Sequence, residues 1–77
     1  MRKVFVEVLA KFDTYGNLVP VSLKWEDGKG YSIDKVYEHK RAASLKVGGQ
    51  GERYRVKICN QEKYLYLEEG KWFMEGK

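Results

Sequence analysis

Basic and aromatic side chains alternate along two neighbouring runs in the second half of the chain, Arg53–Ile58 and Lys63–Leu67. The period of two of a β-strand places Arg53, Arg55 and Lys57 on one face and the residues between them on the other. Cationic side chains neutralise phosphates, and tyrosine rings stack on bases. The spacing therefore predicts a sheet surface suited to nucleic acid, called here the basic-aromatic face. Its candidate residues are Arg53, Arg55, Lys57, Tyr64, Tyr66 and Phe73.

A hairpin must bring the two runs together. If Asn60 and Gln61 form a two-residue turn, Arg55 lies opposite Tyr66 and Lys57 lies opposite Tyr64. A second turn at 69–70 would place Phe73 opposite Tyr66, on the same face. The other face of this hairpin, which carries Tyr54, Val56 and Ile58, is expected to be apolar.

The same residues fit two other interpretations. Aromatic rings and arginines are enriched where proteins contact one another, so the face could bind a protein partner or a second copy of the chain. Alternatively, Arg/Tyr pairs simply stabilise the sheet while the segment 38–46 covers the rings. Ionic strength separates the first two, because phosphate binding weakens steeply with salt. Without a helix to read bases, nucleic-acid binding is expected to be weakly sequence-specific.

The charge is concentrated in one segment. The chain has a net charge of +4, and from Lys35 to Lys57 seven basic residues accompany two acidic ones. A basic concentration of this kind is the electrostatic footprint of a surface that meets phosphate or an acidic partner.

Residues that could support catalysis or metal binding are few and scattered. His39 and Cys59 are the single histidine and the single cysteine, with no third group to orient them as a nucleophilic pair. The glycines of 48–51 are not followed by the Lys-Ser/Thr of a phosphate loop. Trp25, before Glu26 and Asp27, could form an aromatic-acidic peptide pocket, although core packing is the stronger interpretation. We expect a non-enzymatic domain without a metal or cofactor.

Composition limits the class of protein. With 77 residues, of which 43% are hydrophobic and 14% aromatic, the chain has room for one domain, 1–77, with one core. A lone cysteine cannot form an internal disulfide, which favours an intracellular, cytoplasmic location. Glu7 and Lys11 interrupt the apolar N-terminal stretch before it could act as a signal peptide or membrane span.

The elements that position these residues are predicted to be β-strands. A long strand is expected over 4–12, followed by a turn at 13–17 and a strand over 19–25. Pro20 places part of that second strand at an edge or a bulge. A turn at 27–30 precedes a strand that has a bulge or ends at 34–35, and 38–46 is the one stretch that favours a short helix or an irregular connection. Five to six antiparallel strands joined by tight turns predict an all-β, SH3-like or OB-like, partly closed barrel.

A family resemblance rests on two segments. Residues 25–36 contain a Trp/Gly turn followed by a Tyr-x-Ile-x-x-Val strand, and Gly70-Lys71-Trp72-Phe73 forms a terminal hairpin. This arrangement resembles small uncharacterised bacterial domains of unassigned function. The resemblance implies a small bacterial β-barrel of the SH3-like kind and carries no site residues across.

Overall fold

The computed structural model describes residues 2–41 and 51–76, and these form an all-β structure. Eight strands follow in order: β1 Arg2–Phe5, β2 Glu7–Phe12, β3 Leu18–Lys24, β4 Gly30–Ser32, β5 Lys35–Arg41, β6 Glu52–Ile58, β7 Gln61–Glu68 and β8 Lys71–Gly76. The all-β prediction is confirmed, but the expected five to six strands are too few. Residues 38–41 belong to β5, so the helix prediction is wrong there, and 42–46 lie outside the described residues.

The strands form two antiparallel sheets. One has the order β1-β8-β7-β6-β5 and the other the order β2-β3-β4. Within the described ranges no strand pairing joins the edges of one sheet to those of the other, so the sheets do not close into a barrel. The prediction of a partly closed barrel is therefore corrected to two linked sheets.

The chain passes between the sheets at two corners. The expected long strand over 4–12 is divided at Val6, whose backbone N–H donates to Trp72 O at 3.0 Å. Because alternation continues across Val6, the sequence does not reveal that the strand changes sheets there. At the second corner, Ile33 N–H donates to Val21 O and Asp34 N–H donates to Lys57 O. The bulge or strand end predicted at 34–35 thus falls where the link 33–34 between β4 and β5 meets the first residue of β5.

The core lies between the facing surfaces of the two sheets. Its buried members are Val4, Val6, Leu23, Tyr54, Val56, Ile58, Leu65 and Met74. Trp25 packs against them, which bears out the interpretation of that residue as part of the core. The Tyr54 hydroxyl donates to Leu18 O at 2.8 Å, so one core residue of β6 also bonds the second sheet.

Bulges and tight turns set which side chains face the core. The β2–β3 register shifts between Leu9 and Ala10, and Pro20 pairs with Ala10 next to this shift, as its missing N–H predicts.

The turns are closed by side-chain hydrogen bonds and by positive φ angles. Asp13 accepts backbone hydrogen bonds from Asn17 and Tyr15, which lower the pKa of its carboxyl. Positive φ at Glu69 (52°) and Gly70 (76°) confirms the predicted turn between β7 and β8.

Candidate nucleic-acid interface

The hairpin of β6 and β7 forms in a register two residues away from the expected one. Arg53 lies opposite Tyr66, Arg55 opposite Tyr64 and Lys57 opposite Glu62. The turn residues are Cys59 and Asn60, with φ of 50° and 62°, rather than Asn60 and Gln61. A shift of two keeps every side chain on its predicted face. It also brings Glu62 to Arg55, whose Nη1 lies 2.6 Å from Glu62 Oε1.

A pair of positive charges lies between β5 and β6. Lys35 and Lys57 are direct cross-strand partners, so two ammonium groups project from the same face of the sheet. Neither lysine has a carboxylate ion-pair partner within the described part of the chain. Glu62 lies opposite Lys57 on the other side, but its carboxylate binds Arg55, and this bond raises the pKa of that guanidinium.

Two partly exposed tyrosines carry arginine side chains on their rings. The Arg53 guanidinium lies 4.7 Å from the centre of the Tyr64 ring, and that of Arg55 lies 5.1 Å from Tyr37. Tyr37 and Tyr64 are 39% and 44% exposed. The Lys35 ammonium also lies 5.3 Å from the Tyr37 ring. Cations and rings are therefore interleaved across three strands, and part of each ring remains accessible to a ligand.

Tyr66 and Phe73 lie on the same face but are buried. Their rings stack with centres 5.1 Å apart, and they are only 3% and 1% exposed. Phe5 packs against Phe73 from β1, and the Lys3 ammonium lies 4.4 Å from the Phe73 ring. Burial, together with a hydrogen bond from its hydroxyl to Glu75, raises the pKa of Tyr66 to about 12. Because neighbouring side chains cover them, these two rings offer no surface for a base to stack on.

The structure adds two residues that the sequence prediction missed. Lys35 and Tyr37 project from β5 onto the basic-aromatic face beside Lys57 and Arg55. The alternation of Lys35, Val36 and Tyr37 was a usable signal. This signal was not used, because a helix was predicted from 38 onward and the remaining alternation was too short to indicate a strand.

The residues considered for catalysis are held apart. His39 Nε2 is hydrogen-bonded to Glu52 Oε1, and the His39 ring stacks on Tyr54. Tyr54 lies directly opposite His39, and Cys59 follows it by five positions along the chain, which is about 16 Å at strand spacing. Cys59 is an exposed free thiol. The histidine and the cysteine therefore form no nucleophilic pair.

The described segments contain no cluster of three or more His, Cys, Asp or Glu side chains that could hold a metal ion. They also contain no helix with the length and apolar character needed to cross a membrane.

Comparisons of the chain with models of protein families, with curated proteins and with solved structures found no match. The class of protein is therefore described by its own geometry, as a two-sheet β domain with a basic surface that contains half-exposed rings. The resemblance to small bacterial β-barrel domains stays a prediction.

Proposed function

We propose that this protein is a non-enzymatic binding module that holds nucleic acid with weak sequence specificity. The observation that carries the proposal is the cross-strand pair of Lys35 and Lys57, two like charges side by side without a carboxylate for either. Like charges directly opposite each other destabilise a sheet. A phosphate bound between the two ammonium groups would remove that repulsion, so the pair favours an anionic ligand.

The neighbouring arginines extend the same surface. Arg53 and Arg55 precede Lys57 on the same face of β6, and each guanidinium lies over a tyrosine ring. A base that stacked on Tyr37 or Tyr64 would displace the guanidinium, which would then be free to bind the next phosphate. Stacking of this kind tolerates any base, and the described residues 2–41 and 51–76 include no helix that could enter a groove to read base edges. We therefore expect the protein to bind single-stranded nucleic acid, mainly through its sugar-phosphate backbone.

The second candidate is a contact with another protein or another copy of this chain. Phe5 favours it, because this ring is 58% exposed on the edge strand β1. The opposite edge, β5, argues against pairing of two copies there, since Lys35, Lys40 and Arg41 would repel their counterparts. Burial of Tyr66 and Phe73 also removes two of the rings that such an interface was expected to use.

A fluorescence anisotropy titration tests the proposal. Labelled single-stranded and duplex oligonucleotides are titrated with the protein at about 50 and 200 mM salt, where counterion release is measurable. If the four cations Lys35, Arg53, Arg55 and Lys57 bind phosphates, the logarithm of affinity for a single strand falls with the logarithm of salt with a slope of about −2 to −3. The variant Lys35→Glu/Lys57→Glu should lose this binding.

Lys11→Glu is the control for the single substitutions Lys35→Glu and Lys57→Glu, because Lys11 lies on the other sheet opposite Val19 and all three substitutions change the net charge by the same amount. Retained binding in this variant would show that the lysine pair matters and not total charge. Failure to bind at 50 mM salt overturns the proposal. Salt-insensitive self-association that is lost in Phe5→Ser, measured by sedimentation, supports the second candidate instead.

The proposal includes a cytoplasmic location, since the exposed thiol of Cys59 is stable in a reducing compartment. We also propose that the fold is related to SH3-like or OB-like domains, which bind ligands on similarly bent sheets. A crystal structure whose strand order could be compared with theirs would test this relationship.

A further inference from the structure

Strands β7 and β8 separate after a short stretch of pairing. They are paired only from Tyr66 to Glu68 with Lys71 to Phe73, whereas β8 continues along β1 as far as Gly76. Within the described residues, 61–65 of β7 and 74–76 of β8 therefore have no strand partner on the sides that face each other. We call this opening the fork. It leaves backbone groups of two strands available at the place where the sheet is split.

A groove of about 580 Å³ occupies the fork and continues between the two sheets. Residues from both branches line it, Lys63 and Tyr64 from β7 and Met74 and Glu75 from β8. Its floor is apolar and aromatic, formed by Leu23, Trp25, Tyr31 and Ile58. An open backbone edge beside an apolar groove is the arrangement used when an extended peptide adds a strand to a sheet.

Lys63 gives the groove a charge preference. It lies opposite Val56, on the side of the sheet that faces the core, and it is exposed at the open end of the fork. Its ammonium group has no ion pair or hydrogen bond with any described residue. The carboxylate of Glu75 accepts a hydrogen bond from Tyr66 and lies opposite Lys3, so it does not compensate Lys63. The groove is thus complementary to an acidic side chain.

We propose that the fork binds an extended peptide that pairs antiparallel with β7 and carries the pattern hydrophobic-x-acidic. The acidic residue would lie opposite Lys63, and side chains two positions apart share a face of a strand. The hydrophobic residue, two positions earlier, would then lie opposite Leu65 and enter the groove beside Leu23 and Met74. The site shares Tyr64 with the basic-aromatic face, but its charge preference rests on Lys63, which lies on the other side of the sheet, so the two proposals are tested by different substitutions.

The test uses the acetylated, amidated peptide Thr-Thr-Leu-Thr-Glu-Thr-Thr and the full-length protein labelled with nitrogen-15. We expect amide chemical shifts to change at 61–65 and 74–76 on titration, because new hydrogen bonds form there. Two further peptides carry N-methyl groups on alternate amides, one in each phase. At least one of them should fail to bind, since one phase removes the donors that face β7.

Charge exchange provides the decisive comparison. The Lys63→Glu variant should bind the Glu peptide about tenfold more weakly than the unsubstituted protein does, since attraction is replaced by repulsion. It should bind the version of the peptide with Lys in place of Glu more tightly than the unsubstituted protein does. Lys11→Glu should leave both affinities unchanged. The proposal is overturned if the chemical shifts change only in other parts of the protein. It is also overturned if both N-methylated peptides bind as tightly as the parent peptide, or if Lys63→Glu leaves the charge preference unchanged.

Discussion

Lys35 on β5 and Lys57 on β6 are directly opposite each other, and the carboxylate that lies opposite Lys57 on β7, that of Glu62, is bound to Arg55. A folded domain of this size has little stability to spare, so an uncompensated pair of like charges is informative. The pair is the observation on which the proposed binding function rests.

The first prediction is that Lys35→Glu stabilises the free protein while it weakens nucleic-acid binding. An opposite-charge pair with Lys57 would replace a like-charge pair, which is worth about 0.2–1 kcal/mol for cross-strand neighbours. Urea unfolding followed by tryptophan fluorescence measures the change. Lys35→Ala should give a smaller gain, and Lys11→Glu should give none. If Lys35→Glu is less stable than the unsubstituted protein, the lysines do not repel each other as the register implies.

The second prediction concerns the two buried tyrosines. Burial raises the pKa of Tyr54 and of Tyr66 to about 12, with further contributions from Glu52 and Glu75. A raised pKa of an acidic group means that the folded state favours its neutral form. The corresponding stability is complete below the unfolded pKa, near 10, and is lost as the pH rises toward 12.

Absorbance at 295 nm between pH 8 and 12.5 follows the ionisation. Two tyrosines should ionise only near pH 12 or together with unfolding, and Tyr54→Phe and Tyr66→Phe should each remove one of them. Tyr15→Phe is the control, because Tyr15 is 89% exposed in the turn before β3. Loss of the late phase in that variant alone would contradict the assignment.

The third prediction compares two glycines. A Cβ on Gly51 would collide with Cγ of Glu68 and lie 3.0 Å from Leu67 O, whereas a Cβ on Gly30 would meet no atom within 4 Å. Gly51→Ala should therefore destabilise the protein by about 1–3 kcal/mol, the usual cost of overpacking. Gly30→Ala should change the free energy of unfolding by less than about 0.5 kcal/mol. Equal effects of the two substitutions would show that β6 does not begin against β7 as described.

The fourth prediction concerns the turn between β6 and β7. Cys59 and Asn60 both have positive φ, which is unfavourable for cysteine and tolerated by asparagine. Cys59→Asn should raise the free energy of unfolding by about 1 kcal/mol, because asparagine adopts the left-handed conformation more easily, whereas Cys59→Ala, which retains the backbone cost, should have little effect. Thermal unfolding under reducing conditions measures both. A stabilisation shared by the two variants would point to the thiol and not to the backbone.

Period-two alternation was sufficient to predict the all-β class, the apolar side of β6 and the basic-aromatic face. Alternation depends only on local backbone geometry, so Arg53, Arg55 and Lys57 had to share a surface once β6 was a strand. The same reasoning explains why an error of two residues in the hairpin register left every face correct. Turn chemistry likewise identified 69–70, because a glycine in the second turn position accepts positive φ.

Local pattern was insufficient wherever distant segments decide the outcome. The change of sheet at Val6 depends on a hydrogen bond to Trp72, which lies at the other end of the chain. The residues of 38–41 have no strong strand pattern, and they form β5 because β6 supplies hydrogen-bond partners. Whether a ring is exposed was equally hidden, since Tyr64 and Tyr66 have the same place in the alternation and differ only in what surrounds them.

By itself, the sequence determined which residue types share a face, because strand periodicity and turn chemistry act over a few neighbouring residues. Only the tertiary structure decided that Lys57 meets Lys35, that Tyr66 and Phe73 are buried, and that β7 and β8 part to form the fork. Each of these depends on long-range strand pairing and on the packing of two sheets. Such contacts join segments far apart in the chain and leave no local pattern to read.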